Sequence, residues 1–255
     1  MAEWIYRIGG TGTALTQDEQ NNNAECFYGL MNRKYGWSLE AICGALGCFH
    51  EESMLNPGIY ETSHGGDLSG LPYFPGGMGL AQWTDYPPYE GRYPNPLPWS
   101  ADREGEDWYN GNFQGWLLTK ADDNNYTSMG YGQGPRWGWQ QSSSYPSISF
   151  RQYITETNYS IELMTEYWFF DFEWHYYDVP SGYLTSRKEW ANYFYDYLKG
   201  RNPEVPGGGG TPVDPSDPTS SPWYMYTILK TNRMRQKRRN NGRTYGKQRN
   251  YPGIV

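Results

Sequence analysis

The sequence predicts a mostly α-helical, α+β domain over residues 1–201, with a loop-rich cleft, a linker at 202–222 and a basic segment at 223–255. Three observations predict it. Apolar residues recur at helical spacing in the first sixty residues and again after Ser147. Gly- and Pro-rich text separates these two blocks and offers little helix signal. The charge balance then reverses near the C-terminus: Met1–Ser221 holds 12 Lys and Arg against all 28 acids, whereas Pro222–Val255 holds 9 basic residues and no acid.

The chain has 255 residues, enough to bury a sizeable core. Its hydrophobic content is only 37%, but 18% is aromatic, with 25 Tyr and 12 Trp. Large aromatic side chains can replace missing Leu and Val in a core, and they also suit a carbohydrate-binding surface. Cys26, Cys43 and Cys48 cannot all pair within one chain. On a helix, Cys43 and Cys48 point roughly 140° apart, so they should not bridge. Reduced cysteines fit synthesis in a reducing cytoplasm. No run is long enough to span a membrane. The N-terminus MAEWIYRIGG has no apolar signal-peptide core.

In chain order, residues 1–15 read as an arm or edge strand. Asp18–Tyr35 reads as a first helix, carrying Ala24, Phe27, Leu30 and Met31 on one face and stopping at Gly36. Ser38 then caps a second helix, with Glu40 in its first turn. That helix runs to a stop at Asn56-Pro57-Gly58. With Ile42 at 0° and about 100° per residue, Leu46 and Phe49 fall within about 40°. Glu51 falls near 180°, on the far face, where it should be solvated. Glu52 falls near −80°, at the edge of the apolar face beside Ala45 and Phe49. Partial burial and the negative helix end both disfavour its charge, which is what a general acid requires.

Gly58–Gly79 reads as loop. Residues 85–145 are poor in helix signals, apart from a short helix at Asp107–Leu118. Helical spacing returns at Ser149–Asn158 and Ser160–Tyr177, and Ser181-Gly182 breaks the run. A last helix starts at a cap on Thr185 or Ser186. It carries Trp190, Phe194 and Leu198 and ends at Gly200. Asn202–Pro222 has linker composition. The basic tail suits a nucleic-acid backbone, an acidic envelope or an acidic protein partner. Docking on other proteins of an assembly, rather than on nucleic acid, is the expectation taken forward.

Glycoside cleavage needs a protonated carboxyl near the leaving oxygen and usually a second carboxylate. Glu52 meets the first need. The stretch Gly77-Met78-Gly79-Leu80-Ala81-Gln82-Trp83 supplies a tight turn, an amide and an aromatic face. A Cys/His peptidase reading of Cys26 with His50 or His64 is weaker than a buried core cysteine. Three His with no HExxH or CxxC exclude a zinc peptidase, and no metal or cofactor is implied.

The order helix, Glu-Ser, Asn-Pro, then Gly-x-Gly-Leu-x-Gln resembles the lysozyme-like superfamily of goose-type lysozymes and soluble lytic transglycosylases. The fuller text, GWSLEAICGALGCFHEESMLNPG followed by GMGLAQWT, is more similar still to the phage tail lysozyme family, peptidoglycan-degrading domains at phage tail tips. The resemblance covers Gly36–Thr84, is weaker over Ile161–Arg201, and omits 85–145 and the tail. It implies a lysozyme-like fold, Glu52 as catalytic acid, Ser53 as support for it, and Gln82, with Gly79 and Trp83, lining the groove for the glycan strands of peptidoglycan. It also implies a virion location at the tail tip; in that setting the basic C-terminal segment, which the resemblance does not cover, is expected to dock on other tail proteins. Cys48 stands where the family usually has Asn. No motif fixes a second carboxylate; Asp85 is the first candidate, then Glu61 and Asp67. The competing expectation is a virion structural or glycan-binding protein that keeps the fold without catalysis.

Overall fold

The computed structural model describes residues 3–10, 12–63, 68–84, 94–121, 138–141, 146–174, 179, 182–207 and 211–212. It is mostly helical. β1 (Ile5–Tyr6) pairs in parallel with β2 (Thr211–Pro212). The helices are α1 (Gln17–Tyr28), α2 (Leu39–Ser53), α3 (Pro96–Glu104), α4 (Gly111–Leu118), α5 (Phe150–Thr155), α6 (Ile161–Trp168) and α7 (Tyr183–Leu198). Wider π-helical turns extend α1 through Gly29–Lys34 and α6 through Phe169–Trp174.

Local chemistry sets most of the boundaries. Thr16 caps α1 and Asp18 sits in its first turn: the Thr16 hydroxyl accepts from Glu19 N, and the Glu19 carboxylate accepts from Thr16 N in return. Ser38 caps α2 through Ala41 N, as expected. α3 was not expected. The Pro-rich text that reads as loop contains Asn95 as N-cap and Pro96 at the first helical position, where a missing N–H costs nothing. α4 begins at Gly111, later than the expected Asp107, because Asn110 caps it. α7 begins at Tyr183, before the expected Thr185 or Ser186, with Gly182 in the left-handed conformation.

The second helix is the centre of the fold. Every residue of α2 from Ala41 to His50 is buried, and α7 and α6 are its principal neighbours. Two glycines allow this closeness. A Cβ on Gly44 would stand 2.8 Å from the Met164 carbonyl carbon, and one on Gly47 would stand 2.3 Å from the Arg187 carbonyl oxygen. The surrounding core is aromatic: Trp37, Phe49, Trp139, Tyr153 and Trp168 meet edge-on or tilted. Cys26, Cys43 and Cys48 are all buried and free.

The packed chain continues past Arg201. Pro206 is buried, and Asn112 Nδ2 donates to the carbonyls of Pro206 and Gly207. Glu204 passes so close to Gly29 that a Cβ there would stand 2.2 Å from its carbonyl oxygen. Residues 213–255, with most of the expected linker and all of the basic segment, lie outside the described residues.

Candidate active site

The last turn of α2 carries His50, Glu51, Glu52 and Ser53, and the chain then reverses. Met54 and Leu55 both take left-handed backbone angles, with φ of 52° and 56°. Each costs a non-glycine residue about 1–2 kcal/mol, so the surroundings must hold them there. Asn56 does so. Fully buried, its Oδ1 accepts from Arg7 N and Gly58 N, and its Nδ2 donates to Arg7 O and Thr13 O. Asn23 Nδ2 adds a bond to Leu55 O at 2.8 Å. The Asn-Pro pair after the acids is therefore an anchor that fixes where the end of α2 points.

Glu52 is buried, 6% exposed, as its helical phase predicts. The structure adds a partner invisible to helical phase: Arg187 Nη2 of α7 donates to Glu52 Oε1 at 2.6 Å. Arg187 is itself 1% exposed. Its Nε lies 3.4 Å from Glu173 Oε2, and its Nη1 donates to Tyr183 O. The guanidinium lies over the rings of Phe169 and Tyr183, 5.1 and 4.3 Å from their centroids. Burial works against its charge, but Glu173 and Glu52 more than offset that and keep Arg187 cationic.

Glu51 is not solvated, contrary to expectation. Its side chain is 10% exposed, because α7 covers the face of α2 that helical phase left open. Ser186 Oγ donates to Glu51 Oε1 at 2.6 Å. Burial pushes the Glu51 carboxyl up, yet the neighbouring His50, the Ser186 hydroxyl and the Arg187 charge together hold it below the usual carboxylate range. His50 stacks on Trp190, with ring centroids 3.6 Å apart, and burial holds it below the ordinary imidazole value. The two adjacent acids therefore differ by partner rather than by exposure.

The Gly-rich turn lies against the strand-like segment after α2. Tyr60 bridges Met78, and Met78 bridges Trp83, both antiparallel. Gly79 has φ +71°, and a Cβ there would stand 2.6 Å from Leu97 and 2.8 Å from Gln114 Oε1. Gln114, fully buried, accepts from Leu80 N and donates to Pro57 O and Trp108 O, so it ties the turn to the end of α2.

The expected site residues are thus distributed unevenly. Gln82 is half-buried and donates to Gly79 O. Trp83 is 3% exposed and belongs to the core rather than to an open aromatic platform. Ser53 is buried, and its hydroxyl donates back to Phe49 O, so it serves the helix end beside Glu52. Glu61 accepts from Ser63 Oγ at 2.6 Å and Gly77 N at 3.3 Å, which commits its carboxylate to the turn. Asp85, Asp67 and His64 lie outside the described residues.

Arg187 and Glu173 escape the sequence reading. Both had a signal: an acid inside WFFDFEW and an arginine in an otherwise aromatic helix face are groups that need a partner once buried.

A helical domain whose central helix ends in a buried glutamate, followed by an Asn-Pro anchor and a Gly-x-Gly-Leu-x-Gln turn, is the lysozyme-like arrangement. The phage tail lysozyme family matches residues 22–198, and the chain belongs to that family. It is also similar to Morphogenesis protein 1 of Bacillus phage B103, 36% identical over 91 residues. That match covers 36% of this chain and 21% of the relative, so the chain corresponds to about a fifth of that protein's length. No described helix is long and apolar enough to cross a membrane.

Proposed function

We propose that this protein is a phage virion peptidoglycan glycosidase that opens the cell wall locally at infection. It cleaves the MurNAc–GlcNAc β-1,4 bond, with Glu52 as general acid. Glu52 gives its proton to the glycosidic oxygen as the C1–O bond breaks. Water, or the sugar's own hydroxyl in a lytic transglycosylase, then closes C1 and returns a proton. The observation that carries this reading is the placement of Glu52: buried on the last turn of the central helix, just before an anchored reversal, in a member of a lysozyme family. Asp85 is the proposed second carboxylate and Gln82 the proposed glycan contact. The basic C-terminal segment docks the domain on other tail proteins.

The second reading, a glycan-binding structural protein, draws support from the close hold of Arg187 on Glu52 and from the enclosure of Trp83. A zymogram on purified peptidoglycan separates the two. The enzyme clears the wall; a pure binder sediments with it and leaves it intact. Product mass then separates hydrolase from transglycosylase, because an anhydro end is lighter by one water.

A further inference from the structure

Gln114 is fully buried on α4, a helix that carries no acid. A carboxamide taken out of water costs free energy unless its polar atoms find partners. The partners of this one are backbone groups of three other segments. Its Oε1 accepts from Leu80 N at 2.8 Å, and its Nε2 donates to Pro57 O at 2.8 Å and to Trp108 O at 2.7 Å. One planar amide thus spans the tip of the Gly-rich turn and the chain just beyond the reversal that follows Glu52.

The turn is held at two levels. At its stem, Asn95 Nδ2 donates to Gly76 O and Trp83 O, and Met78 and Trp83 exchange backbone bonds at 2.9 Å. At its tip, Gly79 N donates to Ile59 O, and Gln114 accepts from Leu80 N. Gln82 belongs to the tip: its N and its Nε2 both donate to Gly79 O. Its φ of 48° is left-handed, a conformation that a non-glycine residue keeps only where the surroundings hold it. Gly79 lies against the amide itself, since a Cβ there would stand 2.8 Å from Gln114 Oε1 and 2.9 Å from Nε2.

We propose that Gln114 is a positioning residue for glycan binding: its buried amide fixes the tip of the turn, and with it Gln82, relative to the helix end that carries Glu52. That role rests on the reading of Gln82 as a glycan contact. The surrounding parts keep their own ties when the amide is removed. Asn95 holds the stem, Asn56 holds the reversal, and Arg187 holds Glu52. What is lost is the registry between Gln82 and Glu52. A contact made both before and during bond cleavage contributes uniform binding, so its loss raises KM and leaves kcat.

The test is steady-state cleavage of soluble, uncrosslinked peptidoglycan strands by the full-length protein, well below its melting temperature. Wild type, Gln114→Met, Gln82→Ala and the double variant are compared. Methionine keeps the length of the side chain and removes all three hydrogen bonds. KM for Gln114→Met is expected to rise about fivefold or more, with kcat within about twofold of wild type. Because Gln114 acts through Gln82, Gln114→Met should add less than about twofold in the Gln82→Ala background. Tyr153→Phe, which loses a buried bond to Ala41 O at the other end of α2, is the stability control and should melt earlier with a wild-type KM. A Gln114→Met protein that behaves like this control overturns the proposal, and so do fully additive effects of the two changes. If Gln114→Met does not fold, Gly79→Ala, whose methyl must displace the same amide, takes its place, and an unchanged KM there overturns the proposal. An unchanged KM in Gln82→Ala removes the contact through which Gln114 acts; it overturns the proposal and leaves Glu52 as the acid. If the wild type binds the strands without cutting them, the glycosidase reading fails instead. The same variants are then compared by Kd, with the same ratios expected and the same results overturning the role of Gln114.

Discussion

Gly47→Ala is expected to loosen the site without touching an acid. The added methyl would stand 2.3 Å from the Arg187 carbonyl oxygen, 2.7 Å from Ala191 Cβ and 2.8 Å from Ala191 N. Carbon contacts are comfortable at roughly 3.5 Å, so α7 must retreat by about 1 Å. Overpacking of this kind costs about 1–3 kcal/mol. Alanine's better helix propensity returns about 1 kcal/mol. The net loss of up to about 2 kcal/mol corresponds to a melting temperature lower by up to about 8 °C for a domain of this size. Because the nearest clash is with the Arg187 backbone, the guanidinium moves away from Glu52, and lysis should fall together with stability. Circular dichroism melts and turbidity clearing of cell walls read both. Gly70→Ala, whose Cβ meets nothing within 4 Å, is the control and should change neither. A Gly47→Ala protein as stable and as lytic as wild type would refute the argument that backbone contact between α2 and α7 positions Arg187.

Other perturbations read different parts of the same structure. Arg187→Met removes the guanidinium that Glu52 and Glu173 share and is expected to cost about 3–5 kcal/mol in denaturant unfolding near pH 7. Asn56→Ala strips partners from Arg7 N, Arg7 O, Thr13 O and Gly58 N. It should destabilise by about 3 kcal/mol or more and release the reversal at Met54 and Leu55, seen as faster proteolysis there. Asp171 is fully buried, accepts from Ser147 Oγ and Ile148 N, and is pushed up to about 7 by that burial. Its unfolded counterpart ionises near 4, so between those values the folded state binds more protons and this residue's contribution to stability declines as pH rises. Asp171→Asn should remove that slope from stability measured at a series of pH values, whatever its effect on absolute stability.

What the sequence made legible follows how local each signal is. Ser38, Gly36 and the periodicity of Ile42, Leu46 and Phe49 define α2 from neighbours within a few residues, and the same periodicity puts Glu52 at the edge of the apolar face, where the structure buries it further. Glu51 was misplaced because a helical wheel describes one helix, whereas α7 arrives from 135 residues away with Ser186 and covers the open face. Arg187 and Glu173 were missed for the same reason: their meaning depends on which helices pack together. α3 was lost differently. Four prolines between Pro87 and Pro96 read as loop, although Asn95-Pro96 is a helix start, and Asn95 also ties that start to the turn by donating to Gly76 O and Trp83 O. Trp83 and Gly79 carried the right motif but the wrong emphasis. Their burial and close backbone approach make them part of the support for the turn, while Gln82 is the member left half-buried.

The central claim is that Glu52, and not its neighbour Glu51, supplies the proton. The most direct measurement compares peptidoglycan clearing by Glu52→Gln and Glu51→Gln, each with a circular dichroism spectrum matching wild type. The account predicts that Glu52→Gln clears nothing and that Glu51→Gln, whose amide oxygen can still accept from Ser186, continues to lyse. Clearing by Glu52→Gln, with Glu51→Gln inactive, would contradict it.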